Sequence, residues 1–210
     1  MDLDQAIYAR RAVREYTAEA VDEATLRRLI DAAIQAPSAV NEQPWVFSVV
    51  RDRAVLASIS RAAKAYVLAT PPVGVPPHHL QELLDDPEFD VLYRAPVLIV
   101  ISSASRSQWA VENCSLAAEN LMLAARAAGL GTCWIGFAQA WLGTAEGKAT
   151  IQLPQECLPV APIIVGHPKS FPHAVVRKVA DIRWIGRSAE SEPAGAGQRR
   201  VIHLRSTQID

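Results

Sequence analysis

Ala117 to Phe137, AAENLMLAARAAGLGTCWIGF, is the stretch on which the fold turns. Followed back to about Gln108, it places Val111, Cys114, Ala118, Leu121, Met122 and Ala125 on one helical stripe, and Gly129 stands where a left-handed residue ends a helix. The many alanines imply close packing against that helix. Beyond the glycine, Gly131 to Phe137 reads as a strand. The glycines superficially suggest a dinucleotide loop, but Gly129, Gly131 and Trp134 do not make G-x-G-x-x-G, and the segment follows a helix where that fingerprint needs a preceding strand. A Rossmann nicotinamide site is therefore not indicated.

Working outward, Ala95 to Ser102 (APVLIVIS) is apolar without alternation, as in a strand covered on both faces, and Trp45 to Val50 (WVFSVV) reads as its companion. Ahead of them, Leu26, Leu29, Ile30, Ala33 and Ile34 form a helical stripe capped by Asp22 and stopped by Pro37. Asp2 caps a shorter helix running to about Arg10. Towards the carboxyl end, a short helix is expected near Trp141 to Ala149, and an apolar run over Val160 to Gly166 completes the ordered body. Arg53 to Leu68 has a helical composition, whereas Thr70 to Pro77 (TPPVGVPP) cannot be helical, and Leu80 to Tyr93 reads as a short helix and a turn. The whole 53–94 region is expected to be a lid or excursion. After Ser188 the composition becomes linker-like. The expectation is one α+β domain over residues 1–187 with a carboxyl-terminal extension over 188–210.

The chain has 210 residues, half of them apolar, with 21 Lys and Arg against 22 Asp and Glu. That balance argues against a disordered chain and against a nucleic-acid-binding domain. Three cysteines with no CxxC pair argue against a disulfide framework and a structural zinc site, and for a reducing compartment. No signal-like segment opens the chain and no apolar run reaches the ~20 residues of a membrane span, so a cytoplasmic protein is expected.

Against this near-neutral background, Arg10, Arg11 and Arg14 fall within five residues. They suit either a solvated basic turn at a helix end or an anion site in which guanidinium groups converge on phosphate. The connection Ala36 to Trp45, APSAVNEQPW, is either an ordinary turn or a polar rim, with Ser38, Asn41 and Gln43 offering hydrogen bonds between the stiff Pro37 and Pro44. No GxSxG is present, the His78-His79 pair has no spaced partner, and Cys133 has no histidine nearby in sequence. Asn113-Cys114-Ser115 matches a glycosylation sequon but falls inside the expected helix.

Taken together and in order, ARRAVREY (9–16), APSAVNEQPW (36–45), APVLIVI (95–101), the stretch quoted first, and the segment from Pro162 to Arg177-Lys178 with its GHP turn resemble the nitroreductase family of flavoproteins. The resemblance implies an α+β fold with a central, mostly antiparallel sheet flanked by helices, in an intertwined homodimer with two FMN sites at the interface. It implies hydride transfer from NADH or NADPH through the flavin to a nitroaromatic, a quinone or another electron-poor small molecule, in ping-pong fashion. A specialised branch, performing reductive dehalogenation or flavin cleavage, would share the cradle, as would a non-catalytic flavin-binding protein.

Residue by residue, the resemblance assigns the flavin phosphate to Arg10 and Arg177, with Lys178 weaker. Arg11 and Ala12 lie along the ribityl chain, and Arg14 meets the pyrimidine edge, where it stabilises the reduced ring electrostatically. Pro37, Ser38, Ala39 and Asn41 reach the partner's flavin, and Trp134, Ile135 and Gly136 flank the ring near N5. No acid-base side chain is required, since the flavin carries the chemistry. Two positions depart from the family pattern. Ala12 stands where a hydroxyl residue is common, and no asparagine lies between Arg51 and Arg94 to match a frequent flavin contact.

Overall fold

Asp2 and Asp22 open the first two helices as their side chains suggest. Asp2 accepts from the Gln5 N–H at 2.7 Å while Gln5 accepts from the Asp2 N–H at 3.2 Å, closing a capping box on α1 (Leu3–Ala9). Asp22 accepts from the Thr25 N–H at 2.8 Å and starts α2 (Glu23–Ala33), which buries Leu26, Leu29 and Ala33. Ile34, expected on that stripe, is instead the cap residue and is exposed. The computed structural model describes residues 1–70, 82 and 84–186. The His78-His79 pair, most of the proline-rich stretch and the 188–210 extension lie outside the described residues.

Among the described residues four strands form one antiparallel sheet: β1 (Trp45–Val50), β2 (Val97–Ser103), β3 (Gly131–Trp134) and β4 (Leu158–Gly166), in the order β1-β2-β4-β3. The expected mostly antiparallel sheet flanked by helices is what the chain forms. β2 is buried at every position, and its alternation sends side chains into two cores. Leu98 and Val100 pack with Leu56, Ile59 and Ala63 of α3 (Arg53–Ala69). Val97, Ile99 and Ile101 pack with Leu29 of α2 and with Ala118, Leu121 and Ala125 of α4 (Ala110–Ala127). Each such fully buried aliphatic side chain contributes about 1.5–3 kcal/mol, so the two helical layers are held mainly through this central strand. Gly129, at φ +77°, ends α4 in the left-handed conformation expected of it.

Two expectations are corrected. The 53–94 region is not an excursion throughout, because α3 buries Leu56, Ile59, Ala63 and Val67 in the core, as a stripe at helical spacing requires. The strand expected over Gly131 to Phe137 stops at Trp134. The Ile135 N–H makes a last bond to the Pro162 carbonyl at 2.8 Å, and Gly136 then opens α5 (Gly136–Leu142), whose Ala138, Trp141 and Leu142 are buried. The short helix expected near Trp141 to Ala149 is the end of α5 and the start of α6 (Ala145–Thr150), the latter capped by Thr144.

The chain divides into two units, Met1–Ala174, which holds every element named above, and Val175–Asp210. The described part of the second, residues 175–186, runs without helix or strand. Among the described residues no helix is long and apolar enough to cross a membrane.

Candidate functional site

The arginine-rich segment after α1 is pinned to the free side of β3. The Val13 N–H donates to the Thr132 carbonyl at 2.9 Å, Ala12 pairs with Thr132 in a parallel bridge, and the Thr17 N–H donates to the His167 carbonyl at 2.9 Å. Val13 and Tyr16 are the buried anchors. Val13 lies so close to Gly131 that a Cβ there would meet it at 2.8 Å, so the glycine is what lets the segment approach. Tyr16 donates its hydroxyl to the Val13 carbonyl at 2.8 Å, and burial pushes its phenol up from the ordinary range.

With the backbone fixed, the arginines are held by unlike partners. Arg10 meets Glu119 of α4 at 3.3 Å. Arg11 folds back over the end of α1, donating from Nη1 to the carbonyls of Tyr8 at 2.8 Å and Arg10 at 2.6 Å, while its buried Nε has no partner. Arg14 makes no ion pair among the described residues and sits over the Tyr93 ring, 5.8 Å from its centre. A fourth cation joins them that sequence reading passed over. Arg126, in the last turn of α4, donates from Nε to the Ala9 carbonyl at 3.4 Å and stacks on Phe171 at 3.7 Å. Its pKa is lowered, first by burial and then by the positive charge of Arg11. Its position just ahead of Gly129, at a helix end that favours cations, was the available signal. Guanidinium groups crowded together, one of them with an orphaned buried Nε, form a cationic cluster whose donors suit an anion such as phosphate.

On the same strand, Trp134, Ile135 and Gly136 carry the chain from β3 into α5. Gly136 is exposed, and a Cβ placed on it would meet nothing within 4 Å, so space stands open there. Cys133, buried one residue earlier, has its thiol pushed up by burial, an effect opposed by the charges of Arg14 and Arg10. The structure thus brings Arg10, Arg11, Ala12 and Arg14 together with the approach to Trp134, Ile135 and Gly136.

The 37–41 segment is elsewhere on the chain. Ser38 precedes a short 3-10 turn (Ala39–Asn41) without capping it through its side chain, and Val40, Asn41 and Gln43 hold left-handed φ of 49°, 57° and 48°. Non-glycine residues in that region cost free energy, so something must hold them. Asn113 in the first turn of α4 does so: its Oδ1 accepts from the Ala39 N–H at 2.9 Å and its Nδ2 donates to Glu42 at 3.2 Å. The Ser38 hydroxyl accepts from the Gln43 N–H at 3.0 Å, and Asn41 accepts from the Gln43 amide at 2.8 Å. Asn113, the sequon asparagine, is thereby a buried structural group. Ala39 and Ala9 are tied to opposite ends of α4, with Asn113 and Arg126 about 20 Å apart along its axis. Arg177 belongs to the second unit.

A family model described as the nitroreductase family matches residues 7–167. Among solved structures, a nitroreductase with bound FMN from Bacteroides fragilis superposes with a TM-score of 0.76 at 24% identity, over 88% of this chain and 99% of that one. An FMN-dependent nitroreductase from Clostridium difficile gives a TM-score of 0.67 at 25% identity, over 86% of this chain and 99% of that one. An NADH dehydrogenase of Thermus thermophilus is 42% identical over 77 residues, 36% of this chain and 38% of its own length. The first curated relatives are matched over only 31% to 38% of their lengths.

Proposed function

The chain belongs to the nitroreductase family, and on that premise we propose that it is an FMN-dependent oxidoreductase that reduces a nitroaromatic, a quinone or another electron-poor small molecule. The observation that carries this reading is the cationic cluster beside β3, where the buried Nε of Arg11 lacks a partner and Arg126 is crowded by Arg11. These residues fit a phosphate-bearing flavin. The name of the Clostridium difficile relative, which describes that protein as FMN-dependent, supports the same choice.

Bound FMN would supply two-electron chemistry, taking hydride from NADH or NADPH in one half of a ping-pong cycle and giving it to the acceptor in the other. The chain's own part is to bind and orient. Arg10 holds the phosphate, and Arg11 and Ala12 follow the ribityl chain. Arg14 brings an unneutralised cation to the pyrimidine edge, where it favours added negative charge in a site of reduced dielectric. Trp134, Ile135 and Gly136 border the ring, and the open space at Gly136 admits a flat molecule. Pro37, Ser38, Ala39 and Asn41 complete the site from the partner subunit of a homodimer, as the family resemblance implies. Residues 1–187 form the flavin-binding domain, 188–210 an extension, and the protein works in the cytoplasm.

The test is direct. Purified protein reconstituted with FMN should show the flavin visible bands, bleach with NADH or NADPH without oxygen, and recover colour on addition of menadione or a nitroaromatic. Failure to bind FMN sinks the proposal. Light scattering should give a dimer, and mixing Arg10→Ala chains with Asn41→Ala chains should regenerate one intact site per heterodimer. A fully active monomer would refute the shared site.

A further inference from the structure

We propose that Tyr93 is the positioning residue of Arg14, holding its guanidinium by the face of a neutral ring so that the full positive charge stays available to the site. This rests on the role given to Arg14 above. The guanidinium lies 5.8 Å from the Tyr93 ring centre, within cation–π range, and makes no ion pair among the described residues. Arg10, by contrast, is paired with Glu119. A carboxylate in place of Tyr93 would also fix Arg14, but it would cancel most of the charge the cofactor ring would feel. An aromatic face orients the cation without neutralising it.

Tyr93 is itself held with unusual firmness. Tyr93 and Arg94 occupy consecutive left-handed conformations, φ 53° and 54°, which neither residue prefers. The turn is strapped to the core to keep them there. Ser60 of α3 donates its hydroxyl to Asp90 at 2.7 Å and accepts from the Val91 N–H at 3.1 Å, and Asp90 accepts from the Leu92 N–H at 2.8 Å. The Tyr93 N–H reaches the Asp90 carbonyl at 2.8 Å, Val91 and Leu92 are buried, and Phe89 meets the Tyr93 ring edge-on at 5.7 Å. Such strain persists where surroundings over-determine it, and here it aims one ring at one arginine. Burial raises the Tyr93 phenol, opposed by the charge of Arg14 and by a contact of the Arg14 guanidinium with the hydroxyl, so the ring stays uncharged at neutral pH. Cys133, the other titratable group coupled to both, is raised likewise by burial and stays a neutral thiol.

The test measures binding of oxidised and of dithionite-reduced FMN to apoprotein. Tyr93→Asn removes the ring while tolerating a left-handed φ. It should weaken reduced FMN about three- to tenfold more than oxidised FMN, the scale of one cation–π contact. Tyr93→Phe, which keeps the ring face and removes only the hydroxyl's contact with Arg14, should lie closer to the wild-type ratio than to that of Tyr93→Asn, and Tyr93→Asn in an Arg14→Gln background should not change the ratio further. Equal weakening of both forms, or the same effect without Arg14, overturns the inference and leaves Tyr93 as packing. Should Tyr93→Asn not fold, Tyr93→Trp, a stronger face for a cation, must move the ratio the other way, and no movement overturns the inference. If Arg14→Gln shifts the ratio and the Tyr93 variants do not, this inference alone fails. If Arg14→Gln leaves the ratio unchanged, the role of Arg14 fails and this inference with it.

Discussion

Asn113 Oδ1 accepts a hydrogen bond from the Ala39 N–H at 2.9 Å across 74 positions of sequence. Through that contact the first turn of the central helix α4 holds a loop whose left-handed residues would otherwise relax.

Replacing Asn113 by Ala leaves the Ala39 N–H and the Glu42 carboxylate without this buried partner. The expected cost is about 1–3 kcal/mol, read as a lower urea midpoint at unchanged slope. Because the loop is proposed to complete the partner's site, FMN affinity should fall as well. Unaltered stability would show that the loop holds itself.

Arg10 is held at 3.3 Å by Glu119, so it stands ready beside α4 before any ligand arrives. Arg10→Ala should weaken FMN binding by ~3 kcal/mol or more, roughly a hundredfold, as the loss of two charge-assisted hydrogen bonds to phosphate. Isothermal titration of apoprotein checks this, and an unchanged affinity removes Arg10 from the phosphate.

Gly131 and Val13 form a coupled pair, since a Cβ at 131 would lie 2.8 Å from the Val13 side chain. Gly131→Ala should destabilise by about 1–3 kcal/mol and push the arginine segment off β3, lowering FMN affinity. Trimming the neighbour in Gly131→Ala/Val13→Ala should restore much of the affinity. Thermal denaturation and FMN titration of the four proteins of the cycle report the coupling.

Cys114 is fully buried, and burial pushes its thiol up to about 12 from its ordinary value of 9.0. In the unfolded chain that thiol ionises near its ordinary value, while the folded protein keeps the proton. Its contribution is therefore fully present below about pH 9 and is lost as pH rises from there towards about 12. Denaturation midpoints should fall over that window, and less steeply in Cys114→Ala. In the native protein at pH 8 Cys114 should not react with a thiol reagent, and in denaturant it should.

Local chemistry wrote much of this protein legibly. The capping aspartates at 2 and 22, the apolar run of β2, the alanine-rich stripe of α4 and the left-handed Gly129 act within a few residues of themselves, so their meaning survives without the fold. The family resemblance, too, lay in short motifs, and the match over residues 7–167 bears it out. What went astray had a tertiary cause. The strand after Gly131 ends at Trp134 because β4 offers Ile135 one last carbonyl and α5 can then bury Ala138, Trp141 and Leu142, a choice made by neighbours far away in sequence. Arg126, passed over in the sequence, gains its place only when folding sets it against Arg11 and Phe171. The sequence by itself determined where most helices and strands lie and where positive charge concentrates, because those depend mainly on periodicity and composition. Only the tertiary structure decided that Val13 docks on Gly131, that Asn113 and Arg126 hold opposite ends of one helix, and that a strained Tyr93 faces Arg14. Those relationships depend on close packing between distant segments, which no local pattern encodes.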